Sequence, residues 1–194
     1  MTAVGPSGSP NPRPVSINPI DVFITTQKGS VVYPKDPLSL TFFVDGRFYN
    51  QGVFVDSIDC WFRTKDDVSP VSCEIRPVVN GYPSSFEILP FSVAILQPEE
   101  VVASTTFDTT KYSRFRFESP VHLPPGQYAF VIQSDSLNYV LYTAVLGQFE
   151  LNDPTKRVTE QPYIGSLFKS QNASTWTAEQ NEDLTFRVNI AAVS

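Results

Sequence analysis

Hydrophobic and polar residues alternate with a period of two along most of the chain. This period is typical of β-strands that bury one face and expose the other. The segment 38–44, for example, places Leu38, Leu40, Phe42 and Val44 on a single face. The pattern therefore predicts an all-β protein, an antiparallel β-sandwich of jelly-roll type. The predicted strands are 38–44, 53–64, 71–79, 91–96, 113–117, 127–134, 138–146 and 183–190.

Two of these strands contain an irregularity. The apolar phase of 53–64 changes near Ser57, which indicates a β-bulge. Pro77 lies inside 71–79 and has no backbone N–H to donate, so it indicates an edge strand or the end of a strand.

Residues that favour turns separate the strands. Asn80 and Gly81 favour a tight hairpin turn, because both residue types tolerate positive φ. The Leu-Pro-Pro-Gly sequence at 123–126 predicts a second turn. The segment 134–138 predicts a short, hairpin-type connection between the strands on either side of it.

The segment 147–182 is longer than an ordinary connection, and long loops in compact domains are often functional or disordered. It contains Tyr163, Leu167, Phe168 and Trp176, which are able to pack against the domain. We therefore expect it to be ordered. The sequence leaves open whether it covers the core or contacts a partner.

The first 34 residues are predicted to form an extended, proline-rich arm, followed by the β-sandwich domain at 35–194. Residues 1–37 hold 7 of the 17 prolines, which favours extended conformers over a packed core. The segment 20–26 alternates apolar residues and is a candidate for one added strand that pairs with another subunit. Residues 1–19 either order on a partner or are a plain disordered tail. The candidate contact residues of the arm are Pro10, Pro12, Pro14, Ile20, Val22 and Ile24.

Composition and charge exclude several classes of function. The 14 Lys and Arg against 20 Asp and Glu give a net charge of −6, and no basic cluster is present to bind a phosphate backbone. No apolar run reaches the roughly 18 residues of a membrane span. The N-terminal sequence lacks the basic and apolar regions of a signal peptide, so we expect synthesis in the cytoplasm.

Few residues are suited to catalysis or metal binding. The chain has two cysteines, Cys60 and Cys73, and one histidine, His122, which is too few for a zinc site built from these residues alone. The cysteines are interpreted as buried hydrophobic residues, with a disulfide between adjacent strands as the alternative. His122 has no nucleophile or orienting acid near it in sequence. We therefore expect no enzyme activity, no metal and no cofactor.

Adjacent acidic residues and aromatic residues supply weaker candidates. The acidic pairs, of which Asp66 and Asp67 are the best calcium candidate, lie beside turn residues and are interpreted as solvated charges. Trp61 lies on the polar phase of its strand, and we expect it at an interface. We expect Trp176 to be covered. The four aromatic residues considered for an interface are Trp61, Tyr82, Phe168 and Trp176.

Five stretches together resemble a β-rich module of tail and baseplate proteins in large contractile-tailed bacteriophages, including cyanobacterial phages. The resemblance spans about 35–188, and its last stretch is the most specific. The departures are a longer turn at 43–52 and cysteines at positions 60 and 73, where aliphatic residues are expected. The stretches are KDPLSLTFFV (35–44), GVFVDSIDCWFRTKDD (52–67), IRPVVNGYPSS (75–85), FESPVHLPPGQYAFVIQSDS (117–136) and QPYIGSLFKSQNASTWTAEQNEDLTFRV (161–188).

The resemblance implies a structural virion protein of the tail or baseplate rather than an enzyme. Such a protein would be present in several copies in a symmetric assembly and bind neighbouring tail or fibre proteins through its arm and loops. The alternative is a carbohydrate-binding module that recognises the host surface, with Trp61, Tyr82 and Trp176 as its aromatic residues. A glycan hydrolase built on paired acids is a third hypothesis.

Overall fold

The computed structural model describes residues 31–32, 37–145, 149–150, 153–157, 165–170, 172–179 and 182–191. Apart from one 3₁₀-helix at Pro98–Glu100, the regular elements of this part are β-strands, and no helix in it is long and apolar enough to cross a membrane. The strands are β1 (Val31–Val32), β2 (Leu38–Val44), β3 (Val53–Cys60), β4 (Phe62–Thr64), β5 (Val71–Val79), β6 (Tyr82–Pro83), β7 (Val93–Leu96), β8 (Ser113–Leu123), β9 (Gly126–Ser134), β10 (Val140–Val145), β11 (Phe149–Glu150), β12 (Asp153–Arg157), β13 (Leu167–Lys169), β14 (Thr177–Glu179), β15 (Glu182–Leu184) and β16 (Phe186–Ile190).

The strands form antiparallel sheets around a common core, which confirms the predicted all-β sandwich. The large, seven-stranded sheet has the order β14-β13-β2-β9-β5-β6, with β7 also paired to β5. A three-stranded sheet has the order β16-β3-β8. In a four-stranded sheet, β10 pairs with β1, β4 and β15, and β11 and β12 form a separate hairpin. The apolar faces of the sheets meet, with the rings of Phe130 and Phe186 5.1 Å apart.

Several predicted elements agree with the observed ones. The predicted strands 38–44 and 71–79 coincide with β2 and β5. The bulge predicted near Ser57 is present, because the pairing of β3 with β8 shifts register between Val55 and Ser57. Asn80 and Gly81 have φ values of 53° and 83° and join β5 to β6, so the predicted hairpin turn is confirmed.

Pro77 does not mark an edge strand, but the alternative that it marks the end of a strand agrees with the pairing of β5 with β9, which stops at Pro77. The strand that contains it, β5, lies between β9 on one side and β6 and β7 on the other. The carbonyl of Pro77 accepts a hydrogen bond from Ser84, so its backbone groups face the side of β6 and β7. Ser84 lies opposite Pro77, which lacks the N–H that would pair with the Ser84 carbonyl. The side chain of Arg76 donates to that carbonyl instead, at 2.9 Å.

One predicted connection and one predicted strand also differ from the structure. The segment 134–138 is not a hairpin, because β9 belongs to the large sheet whereas β10 belongs to the four-stranded sheet. The predicted strand 183–190 is broken at Thr185, so that β15 pairs with β10 and β16 pairs with β3. Each of these segments carries the chain from one sheet to another.

The segment 147–182 contains four short strands in its described part. Of these, β13 extends the large sheet beyond β2 and pairs in turn with β14. In the N-terminal region the structure has β1 at Val31–Val32, on β10. The predicted strand at 20–26 and the arm residues before it lie outside the described residues.

Two glycines with positive φ provide a matched test of the turns. Gly52 has φ +80°, and a Cβ there would overlap the backbone carbonyl oxygen of Leu123. Gly81 has φ +83°, but a Cβ there would meet no atom within 4 Å. Gly81→Ala should therefore lower the free energy of unfolding by about 1 kcal/mol, the usual cost of left-handed backbone. Gly52→Ala should cost clearly more, because the backbone of β8 must move. Urea unfolding measures both, and equal losses would contradict this geometry.

Candidate functional site

One edge of the large sheet exposes a group of large apolar side chains. The segment 84–96 runs antiparallel to β5, from Ser84 beside Pro77 to Leu96 beside Val71. Large exposed apolar patches on soluble proteins usually mark a binding site. We call this group the β7 surface. It consists of Phe86 (95% exposed), Phe91 (71%), Ile95 (57%), Val93 (47%) and Ile88 (40%).

The alternation of β7 explains why part of this surface is apolar. Ala94 and Leu96 point into the core, so Val93 and Ile95 must point to the opposite, outer face. Outer positions of a strand at the surface are usually polar. The strand β7 therefore has apolar residues on both faces, although only its inner face is covered by the rest of the protein.

Phe91 adds backbone strain to this exposure. Its φ is +62°, in the left-handed region that a bulky aromatic residue rarely adopts. Because the ring is exposed, its burial does little to offset the cost of this backbone conformation. A strained residue with an exposed side chain is a signal of function rather than of stability.

Hydrogen bonds hold the loop before β7 in one conformation. The Ser92 hydroxyl lies 2.7 Å from the carbonyl of Leu89 and 3.1 Å from that of Ile75, and Leu89 N–H donates to the same Ile75 carbonyl. The Ser84 hydroxyl accepts a hydrogen bond from Glu87 N–H at 3.0 Å. These bonds order the loop before any partner binds, which lowers the entropy cost of binding.

A buried ion pair joins this loop to a third layer of the structure. Arg76 donates its Nε–H to Glu74 at 2.7 Å, and both side chains are buried on the outer face of β5. Arg76 also donates to the carbonyls of Ser84 at 2.9 Å and Ala173 at 2.8 Å. Its guanidinium lies 5.9 Å from the centre of the Trp176 ring. The cover formed by 172–179 is thereby fixed beside the β7 surface.

Three of the aromatic residues predicted for an interface come together at this cover. Phe168 and Trp176 are buried and pack on Val131 of the large sheet. Tyr82 is half exposed, and its ring centre lies 5.7 Å from that of Phe168. Trp176 is thus covered, as expected, whereas Phe168 is not available at the surface as the interface prediction requires. Tyr82 alone of the three offers an exposed ring.

The expectation that Trp61 is exposed at an interface is wrong. Its side chain is 1% exposed and packs against Phe107 and Tyr142, and its Nε1–H donates to the carbonyl of Asp108 at 3.1 Å. The guanidinium of Arg187 lies 5.3 Å from its ring centre. Residues 107–112 thus form a cover outside the three-stranded sheet, which the alternation of 53–64 does not reveal. The aromatic residues proposed for sugar binding therefore do not form one exposed platform.

A polar network lies beside Trp61 on the outer face of the three-stranded sheet. Asp59 is fully buried and accepts two hydrogen bonds from Arg114, at 2.7 and 2.9 Å. Arg187 approaches the same carboxylate to 3.7 Å from β16. The hydrogen bonds to Asp59 raise the pKa of Arg114. The network links β16, β3 and β8 and has the features of a structural ion pair.

The cysteines and the histidine occupy structural positions. Cys60 and Cys73 lie in different sheets, are buried and are free, so the alternative of a disulfide is wrong. Burial raises the pKa of both thiols, which holds them in the unreactive protonated form. His122 is exposed, with Nε2 2.9 Å from the carbonyl oxygen of Gln51 and its ring 4.7 Å from that of Phe54.

The carboxylate of Asp66 is engaged in a turn. It accepts hydrogen bonds from the backbone N–H groups of Val68 and Ser69 and from the side chains of Ser136 and Asn138. These bonds, led by that from Ser136, hold the pKa of Asp66 well below its usual value. In the described part of the chain, no three His, Cys, Asp or Glu side chains are grouped to hold a metal ion. The candidate arm residues Pro10, Pro12, Pro14, Ile20, Val22 and Ile24 lie outside that part.

The β7 surface was not among the residues singled out from the sequence. A signal was present, because FSVAIL at 91–96 is apolar at five of its six positions. Such a run fits a strand that is buried on both faces as well as one with an exposed apolar face. The sequence could not distinguish these cases, since that depends on which segment covers the strand.

Comparison with known proteins gives the fold and little more. No protein family and no curated protein matches the chain. Solved structures similar to it include the clostridial cysteine protease Cwp84 after propeptide cleavage, with a TM-score of 0.52 and 12% identity over 84% of this chain. A second is the cysteine protease and lectin-like domains of Cwp84, a surface layer associated protein of Clostridium difficile, with a TM-score of 0.52 and 11% identity over 87%. This chain spans 38% and 37% of those chains, and at such identity the likeness shows the fold alone.

Asp183 provides a test of how pH acts on stability. Burial raises its pKa from 3.8 to about 7, and its Oδ1 has no hydrogen-bond partner. The folded state therefore binds a proton that the unfolded state has released, so this group lowers the free energy of unfolding as pH rises from about 4 to about 7. The slope is roughly 1.4 kcal/mol per pH unit. Asp183→Asn should remove that loss, measured as the variant-minus-wild-type stability at each pH.

Asp66→Asn is the control with the opposite sign. The pKa of Asp66 is lowered in the folded state. Its carboxylate therefore contributes to the free energy of unfolding above the unfolded pKa, and this contribution is lost as pH falls. The variant should lose most stability at neutral pH and less in acid. If Asp183→Asn shows no more gain at pH 8 than at pH 4, the carboxyl is not desolvated as described.

Proposed function

We propose that this protein is a structural component of the tail or baseplate of a tailed bacteriophage and binds neighbouring tail or fibre proteins. The resemblance of 35–188 to phage tail modules supports the choice of particle. The exposed β7 surface, which includes Phe86, Phe91 and Ile95, is the observation that carries the binding role. Binding takes place through a rigid edge of the sandwich, with the arm at 1–34 as a second contact.

The chemistry of the β7 surface suits a protein partner. Aromatic side chains are enriched at protein interfaces because they remove a large apolar area from water at a small cost in rotamer entropy. The loop that carries Phe86 is held by Ser84 and Ser92, so the surface is ordered before binding. A partner therefore needs an apolar patch of its own and no charge opposite the centre of this surface.

The variant Phe91→Asn distinguishes an effect on the stability of the protein from an effect on its assembly into particles. Asparagine adopts left-handed backbone more readily than phenylalanine, so the variant should keep or raise the free energy of unfolding, by up to about 1 kcal/mol. The loss of an aromatic contact should lower incorporation into phage particles about tenfold, as expected for an interface residue worth roughly 1.4 kcal/mol. Urea unfolding and quantitative mass spectrometry of purified particles give the two values.

Phe86→Ser and Phe48→Ser complete this experiment. Phe48 is 78% exposed but lies on the loop between β2 and β3, so it controls for the removal of an exposed ring. Phe86→Ser should lower incorporation as Phe91→Asn does, whereas Phe48→Ser should not. Normal incorporation of both β7-surface variants would overturn the proposed role of this surface.

Carbohydrate binding is the second candidate function. It is favoured by the likeness to the structure of the cysteine protease and lectin-like domains of Cwp84 and by the half-exposed ring of Tyr82. Stacking of a sugar on this ring predicts that Tyr82→Ala abolishes binding on an array of host-surface glycans. If neither the wild type nor the variant binds any glycan, or if both bind equally, this candidate is contradicted.

A further inference from the structure

We infer that the turn at Asn80 and Gly81 is a site of spontaneous covalent modification, in which Asn80 loses its side-chain amide and the main chain rearranges. Asn-Gly occurs once in the chain, at these two positions. The site lies outside the β7 surface, so the inference goes beyond the proposed function, and its failure leaves that function untouched. The turn is thereby assigned a chemistry besides its role in joining β5 to β6.

The reaction needs no reagent other than water, and asparagine is among the residues that degrade chemically on heating. The backbone nitrogen of Gly81 attacks the side-chain carbonyl carbon of Asn80 and closes a cyclic succinimide. The bond from that carbon to the side-chain nitrogen breaks, and this nitrogen leaves as ammonia with the proton of the Gly81 N–H. Water then opens the ring at either carbonyl, which gives aspartate or isoaspartate. In isoaspartate the main chain runs through the side-chain carboxyl carbon and is one methylene group longer.

Neither of the two reacting groups is covered by the protein. Asn80 and Gly81 are both exposed, and the side chain of Asn80 makes no hydrogen bond with the described part of the chain. A Cβ placed on Gly81 would meet no atom within 4 Å, so the space around its backbone is open. Glycine itself has no side chain that could shield its nitrogen from the carbonyl carbon. The attack is therefore not hindered by neighbouring atoms.

The hairpin that holds this turn is closed by few interactions, which matters because the attack requires the backbone of the turn to open. The strand β6 has two residues, and it pairs only with the end of β5. Neither Pro83 nor Pro77, which lies opposite Ser84, has an N–H to donate. The residues on either side of the turn, Val79 and Tyr82, are 52% and 51% exposed. An element with few buried contacts opens locally at a much lower cost than global unfolding.

Isoaspartate at position 80 would disrupt the hairpin and the contact that follows it. The length of the turn fixes the pairing of β5 with β6, so a main chain with an additional methylene group does not fit this geometry. The next contact along the chain is that of Ser84, whose carbonyl accepts a hydrogen bond from Arg76 at 2.9 Å. Amide hydrogen exchange at 84–92 should therefore be faster in the isoaspartate form, whereas that of β9 should not change. Equal exchange at 84–92 in the two forms would contradict this consequence.

Incubation of the folded full chain at mildly alkaline pH, followed by peptide mass spectrometry, tests the inference. The peptide with Asn80 should gain the mass difference between an amide and an acid and separate into an aspartate and an isoaspartate product. Asn50 is the control in the same sample, because it is also exposed in a turn but precedes Gln51, whose side chain hinders the nitrogen. It should react about tenfold more slowly, which corresponds to a barrier higher by roughly 1.4 kcal/mol. Gly81→Ala should slow the reaction of Asn80 although it weakens the turn, because the added Cβ hinders the attacking nitrogen.

The same reaction in urea separates the chemistry of the two residues from the contribution of the fold. In the unfolded chain the turn is always open, so the rate there is the upper limit for Asn80. Pro77→Val supplies the N–H that is missing opposite Ser84, so it should slow the reaction of the folded chain and leave the rate in urea unchanged. An Asn80 that reacts in urea but stays intact in the folded chain would overturn the inference. The same holds if Asn80 reacts no faster than Asn50 in the folded chain.

Discussion

The ion pair between Glu74 and Arg76 is the interaction on which the position of the β7 surface depends. Arg76 is buried, and it also donates to the carbonyls of Ser84 and Ala173. One guanidinium therefore fixes the start of the segment that forms the β7 surface and the cover that contains Trp176. A buried charge that loses its partner costs several kcal/mol, so these parts of the structure are ordered together. The exposed aromatic residues of the β7 surface are therefore held in a fixed position.

The local elements of this fold could be predicted from the sequence because they depend on neighbouring residues. The period of two gave the bounds of β2 and β5, and Asn80 and Gly81 gave the turn after β5. The assignment of strands to sheets could not be predicted in this way. The break at Thr185 and the crossing at 134–138 depend on which distant strand offers an open edge, and alternation does not report that.

At the candidate site, the exposure of side chains could not be predicted from alternation either. Trp61 lies on a polar phase and yet is buried, because Phe107 and its neighbours cover the outer face of its sheet. Val93 and Ile95 look like core residues in the sequence and yet are exposed, because no described segment covers them. In both cases, exposure depends on whether a further segment covers the outer face of the sheet. The candidate site was thus visible in the sequence only as the doubly apolar run 91–96.

A density map of the intact tail and baseplate tests whether the β7 surface is an interface in a phage particle. We expect Phe86, Phe91 and Ile95 to be buried against protein in that map. A particle that contains the protein with these three side chains in solvent, or one that lacks the protein, would contradict the account.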